Sequence, residues 1–151
     1  MKIGAEMGTP IVYIYQSGGL YKHVLTLIGM YDVVEQSQKA TIAIASFLTA
    51  AAAVEAIIVE ASVSLSPTLY KDNNFLRAGA PKKYESLMGS ESEEVKAIWA
   101  IRIALAHAEP ENTRTARVGE HLNSDSLEKL KEQLKIIISS IHGDTWPDRY
   151  N

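Results

Sequence analysis

A long apolar helical pattern in the middle of the chain most constrains how it folds. No charged residue occurs in the fifteen residues from Ala40 to Val54, and many of these are Ala, Ser or Thr. From Lys39 to Leu65 the apolar residues recur at helical spacing, which predicts one long amphipathic helix. A membrane span needs about 20 strongly apolar residues, and Glu55 and Glu60 interrupt this stretch. The pattern therefore predicts a buried helix that the rest of the chain covers.

Weaker helical patterns precede and follow this segment. Apolar residues from Leu20 to Val34 predict a first helix. After Pro67 the residues from Thr68 to Pro81 are rich in chain breakers and predict a loop, and a short helix is expected over Lys82 to Met88. The connections between these elements are short, which is typical of helices packed side by side.

The C-terminal part of the sequence carries two helix signals. Ser90 and Glu93 match a capping box, which predicts a helix from Glu91 to Ala108. The final helix is expected to follow a cap at Ser124 or Asp125 and to end at Gly143. With the preceding elements this makes four or five helices, so we expect an all-α, up-and-down bundle.

The length of 151 residues suits a single domain, 1–151. Ile11 to Tyr15 is β-branched and aromatic, which is typical of a strand or of an extended arm. We therefore expect an N-terminal arm over residues 1–19. A C-terminal tail over residues 143–151 is expected to dock on the body through Trp146.

Charge and composition limit the functions open to this chain. The formal net charge is −3, so nucleic acid is not attracted globally and phosphate binding needs a local basic cluster. Cysteine is absent, which excludes disulfides and thiolate metal sites. No histidine or carboxylate pattern indicates a metal, and no motif indicates a cofactor. The N-terminal residues lack the long apolar run of a secretory signal, so we expect a cytoplasmic protein without a membrane partner.

One residue breaks the apolar pattern of the helix expected over 91–108. At 100° per residue, Arg102 lies near the centre of the side that also carries Val95 and Ile98. An arginine at that place is costly unless it is paired, hydrogen-bonded or facing a cavity. Two structural explanations require no active site: the arginine snorkels past a thin edge of the core, or it forms an internal ion pair with Glu55 or Glu60 in an unrelated helical bundle.

His107 follows five residues later and changes the interpretation of Arg102. A histidine in the last turn is by itself a favourable partner for the helix dipole. Together, a permanent cation and a group that titrates near neutrality suit phosphodiester chemistry. Five residues on a regular helix separate two side chains by about 140° and about 7.5 Å. We therefore expect either a loosened last turn or a two-fold dimer through this helix that brings both pairs into one cleft.

The residues from Arg102 to His107 resemble the motif of HEPN domains, the higher eukaryote and prokaryote nucleotide-binding family. That motif is an arginine followed after four to six residues by a histidine, late in a helix of an all-α domain. The resemblance implies a helical homodimer and, in many members, metal-independent RNA cleavage that leaves 2′,3′-cyclic phosphate ends. The residue matching His107 would activate the ribose 2′-hydroxyl, and the one matching Arg102 would stabilise the pentavalent phosphate.

The resemblance also implies a biological setting, in which such domains act as toxins or in defence against phage. RNA and an antitoxin protein are then the expected partners. Ile103 departs from the family, since active members usually carry a polar residue directly after the arginine. A catalytically inactive HEPN-like dimer that binds nucleotide, RNA or a partner protein is therefore the alternative.

Other basic residues are weaker candidates for phosphate contact. Arg114 and Arg117 follow the motif helix and are the better placed of these. A second group lies in or beside the predicted loop, where a solvated surface explains it equally well: Arg77, Lys82 and Lys83. His121 and His142 are isolated.

Overall fold

The computed structural model describes residues 16–106 and 122–151, and this part of the chain is helical throughout. The all-α class is therefore confirmed, whereas Ile11–Tyr15 lies outside the described residues. Two short helices occupy the segment after Pro67 that was expected to be a loop. The described elements are α1 (Gln16–Tyr31), α2 (Gln36–Leu65), α3 (Pro67–Tyr70), α4 (Asn73–Arg77), α5 (Ala80–Met88), α6 (Glu93–Ala106), α7 (Ser124–His142) and a 3-10 helix (Asp148–Tyr150).

Helix α2 lies at the centre, and α1, α5, α6 and α7 all pack against it. Val54, Ile57 and Ile58 have no exposed surface, as expected for the middle of a core. By length and composition α2 is apolar enough to cross a membrane, but 56% of its most apolar 18-residue window is buried inside the fold. Its apolar surface is therefore used for packing against the other helices.

The start of α1 differs from the sequence prediction. The helix begins at Gln16, so the expected arm over residues 1–19 is wrong for its last four positions. Ser17, Gly18 and Gly19 lie inside the helix, although their low helix propensity predicted a break. Tertiary contacts explain the difference, because Ser17 bonds to α2 and Gly18 lies directly against the backbone of Arg149.

The caps of α6 and α7 lie close to the predicted positions but on different residues. Ser92, not Ser90, caps α6, since its Oγ accepts from the Val95 N–H at 3.1 Å. Asn123, not Ser124 or Asp125, caps α7 and forms a capping box with Ser126. Each prediction is off by one or two residues, because several neighbouring side chains have the chemistry of a cap.

The C-terminal tail docks on α1 and α7, as predicted for Trp146. The Trp146 ring meets the Tyr21 ring edge-on with centroids 6.2 Å apart, and its indole N–H donates to the Ser139 Oγ at 3.0 Å. Tyr150 packs edge-on against the same Tyr21 ring at 6.1 Å. The helix before the tail ends at Gly143, as predicted, with a positive φ of 73°.

A buried carboxylate joins α1, α2 and the tail. Glu60 accepts the Ser17 N–H at 2.8 Å and the Ser17 hydroxyl at 2.5 Å, and it pairs with the Arg149 Nε at 3.2 Å. The Tyr150 hydroxyl lies 2.8 Å from the Ser17 Oγ. Because Ser17 donates its one hydroxyl proton to Glu60, the Tyr150 hydroxyl is the donor to the Ser17 Oγ. Burial raises the pKa of Glu60, although the bonds from Ser17 and the charge of Arg149 act in the opposite direction.

Neighbouring glycines provide a matched test of the tail contact. A Cβ at position 18 would collide with the backbone carbonyl of Arg149, whereas a Cβ at position 19 meets no atom within 4 Å. Gly18→Ala should therefore destabilise the fold, and Gly19→Ala should stabilise it by about 0.5–1 kcal/mol through helix propensity. Urea unfolding measures both. Equal effects of the two substitutions would contradict the docked position of the tail.

Glu60 predicts a specific pH dependence of stability. Its folded-state pKa is raised above the ordinary value of 4.5, so the folded protein binds this proton more tightly than the unfolded chain does. The protonation of Glu60 contributes to the unfolding free energy. This contribution is complete below about pH 4.5 and is lost as the pH rises through the folded-state pKa of Glu60. The unfolding free energy of the wild type minus that of Glu60→Gln should therefore fall with rising pH. Urea unfolding across a pH series measures it.

Ile136→Gln, which changes a half-exposed side chain of α7 that binds no proton, is the control for this measurement. Its difference from the wild type should stay nearly constant over the same pH range. A wild-type advantage over Glu60→Gln that grows with pH would contradict the raised pKa.

Candidate functional site

Arg102 lies in the last turns of α6, and its side chain is exposed. Val95 and Ile98 on the same helix are completely buried. Leu105, three residues after Arg102, is also buried, so Arg102 does interrupt a buried stripe, but its side chain lies at the surface, as the snorkelling explanation expects. Arg102 and Val95 lie at nearly the same angle around the axis, so their environments differ along the helix, a distinction that a helical wheel does not contain.

The Trp99 ring holds the Arg102 side chain against the surface. The guanidinium carbon lies 4.5 Å from the centroid of the ring, within the range of a cation–π contact. Trp99 is partly buried at the edge of the core. Gly79, just before α5, is close to the indole: a Cβ at that position would lie 3.1 Å from the Trp99 Nε1. The backbone before α5 and the Arg102 side chain therefore both border the Trp99 ring.

The carboxylates proposed to pair with Arg102 have other partners. Glu60 is bonded to Ser17 and Arg149, and Glu55 accepts from the Lys83 Nζ at 3.2 Å. Within the part of the chain that the structure describes, no carboxylate pairs with Arg102.

Two of the three other basic residues named near α5, Lys82 and Lys83, are paired with carboxylates. Lys83 is buried and donates to the Ala78 carbonyl at 2.7 Å as well as to Glu55. Arg77 is exposed on α4, and exposed Lys82 pairs with Glu85 at 3.5 Å. An open depression of about 230 Å³ has a lining of mixed charge, which does not favour anions: Pro81, Lys82, Glu85, Glu91 and Lys96.

Several predicted site residues lie outside the described part of the chain: His107, Arg114, Arg117 and His121. Among the described residues, no group of three His, Asp or Glu is arranged to hold a metal ion. His142 is partly buried against the Tyr150 ring, with centroids 5.8 Å apart. Burial and, secondly, the charge of Arg149 lower the pKa of His142, which favours its neutral form.

Two features of this surface were missed by sequence reasoning. Trp99 was not identified as a neighbour of Arg102, although residues three positions apart on a helix lie next to each other. Ile103 was interpreted as a departure from a motif, and the structure shows that 43% of it is exposed. Arg102 therefore lies between an aromatic ring and an exposed apolar side chain. This arrangement can bind an anion or take part in a protein interface.

The exposed position of Arg102 predicts a small effect on stability. Arg102→Ala removes a surface cation–π contact, so its unfolding free energy should fall by about 1 kcal/mol or less. Ile98→Ala, one turn earlier and fully buried, should cost about 2–5 kcal/mol. Urea unfolding compares the two variants. A loss of more than about 2 kcal/mol in Arg102→Ala would place its side chain in the core.

Comparison with known proteins gives no match to this chain: no family model, no curated protein and no solved structure is similar to it.

Proposed function

We propose that this protein is a HEPN-type, metal-independent endoribonuclease that acts as a homodimer, with Arg102 and His107 as its catalytic pair. The observation that supports this is the exposed Arg102 guanidinium, which no described carboxylate neutralises. An arginine already bonded to a carboxylate inside the fold has little capacity left for phosphate. An accessible guanidinium offers its N–H groups to two phosphate oxygens at once.

The proposed reaction needs only these two side chains and the RNA itself. His107 accepts the proton of the ribose 2′-hydroxyl, and the resulting oxygen attacks the adjacent phosphorus. Arg102 compensates the negative charge that builds up on the pentavalent phosphate. The bond between the phosphorus and the 5′-oxygen breaks, that oxygen takes up a proton from water, and His107 releases the proton it accepted to the solvent. The products are a 2′,3′-cyclic phosphate and a 5′-hydroxyl end.

The homodimer is proposed to form through the helix over 91–108. Five residues on a regular helix place two side chains about 140° apart, so a second copy supplies the convergence that one helix lacks. Ile103 is 43% exposed, and Ile101 is partly buried at the edge of the core. The exposed Ile103 beside Arg102 supports an interface at this end of α6.

The second candidate is a HEPN-like dimer without catalytic activity, and the exposed Ile103 favours it. An apolar side chain next to Arg102 cannot orient the guanidinium or the phosphate by hydrogen bonding. Such a dimer would bind nucleotide, RNA or a partner protein such as an antitoxin without cleaving RNA. For the active form we propose a role as a toxin or in defence, and a cytoplasmic location for both.

Cleavage of RNA in the presence of a chelator tests the proposal. The wild type should cleave, and Arg102→Ala and His107→Ala should each lower the rate by about 10²-fold or more. Lys22→Ala, which removes an exposed cation from α1, should cleave like the wild type. Intact RNA after incubation with folded wild type would refute the nuclease. If fluorescence anisotropy then shows Arg102-dependent RNA binding, the second candidate is supported.

Mixing the two inactive variants tests the shared cleft. A heterodimer of Arg102→Ala and His107→Ala retains one arginine and one histidine in the cleft, so part of the activity should return. If the mixture is as inactive as its components while the dimer still exchanges subunits, each site lies within one chain.

A further inference from the structure

The contact between Trp99 and Arg102 restricts a side chain that is otherwise free to move. An exposed arginine has many rotamers, and ordering it on a ligand costs conformational entropy. Here the guanidinium carbon already lies 4.5 Å from the centre of the Trp99 ring. A guanidinium that stacks on an aromatic ring leaves the N–H groups at its edge available to oxygen acceptors.

The indole is itself held in place. Its neighbour Ile98 has no exposed surface, so this turn of α6 is firmly packed. On the other side, the backbone at Gly79 approaches the Nε1 edge so closely that a methyl group there would be only 3.1 Å away. The Trp99 ring is therefore held by the packed turn at Ile98 and the backbone at Gly79, and the Arg102 guanidinium lies against it.

We propose that Trp99 is a positioning residue that holds the Arg102 guanidinium ready to bind an RNA phosphate. This inference rests on the proposed function. Orienting the Arg102 guanidinium is then the role of Trp99, an aromatic residue one turn earlier, because Ile103 cannot orient it by hydrogen bonding. Ile103 lacks a polar group, whereas the Trp99 ring orients the same guanidinium through its π face.

Substitutions of Trp99 test the positioning role. Trp99→Phe keeps an aromatic face, and Trp99→Met keeps an apolar side chain of adaptable shape without one. With a single-stranded RNA oligonucleotide, Trp99→Met should weaken binding about 3- to 30-fold, and Trp99→Phe should stay within about 3-fold of the wild type. Urea unfolding of each variant shows that it is folded. Trp99→Met binding as tightly as the wild type, or Trp99→Phe binding as weakly as Trp99→Met, would overturn the inference.

Two further experiments keep the test decisive if Trp99→Met does not fold. Gly79→Ala keeps the indole but requires its Nε1 edge to shift by a few tenths of an ångström, so it should weaken RNA binding less than Trp99→Met does. Trp146→Phe leaves Trp99 as the one tryptophan of the chain, since the sequence contains two. In that background Arg102→Met should shift the fluorescence emission of Trp99, because the ring loses its cation. An unchanged emission would show that the contact is not made in solution and would overturn the inference.

The failures of the two proposals are distinguishable. If the wild type neither binds nor cleaves the oligonucleotide, the proposed function and this inference both fall. If the wild type binds RNA through Arg102 and the Trp99 and Gly79 variants bind equally well, the positioning role alone is refuted.

Discussion

The burial of α2 is the interaction on which the rest of the structure depends. The segment from Ala40 to Val54 has no charge, so it is stable in water only where other helices cover it. Helices α1, α5, α6 and α7 supply that cover. Ala50, Ala51 and Ala53 are buried along α2, and their small side chains permit a close approach of neighbouring helices. The position of α6, and with it of Arg102, follows from this packing.

The buried Glu60 adds specificity to a core that is otherwise apolar. A carboxylate in the interior is costly unless its oxygens are bonded, and here α1 and the tail provide the partners. Ser17 supplies two donors, and Arg149 supplies a charge. Tyr150 completes the cluster through Ser17. Because these groups come from three separate parts of the chain, the cluster ties the docking of the tail to the packing of α1 on α2.

The surroundings of Arg102 depend on how α6 packs and not only on the position of Arg102 in the helical pattern. An arginine on the apolar side of a helix needs a bonded partner if another helix covers it, and needs none if it is exposed to water. Here the core covers α6 at Val95 and Ile98 and leaves Arg102 exposed against Trp99. The guanidinium is therefore accessible at the surface. In a buried ion pair its N–H groups would have been bonded to a carboxylate and not available to a phosphate.

Local sequence determined the all-α class, the long central helix and the stop at Gly143, because helical periodicity and turn chemistry act over short distances. Tertiary structure decided what depends on residues far apart in the chain. Arg149, not Arg102, pairs with Glu60, and α1 extends through Gly18 because the tail packs there. The exposure of Arg102 was also decided by packing, since the buried side of α6 turns from Val95 towards Leu105, which lies about 60° from Arg102 around the helix axis, and the periodic pattern alone does not show this.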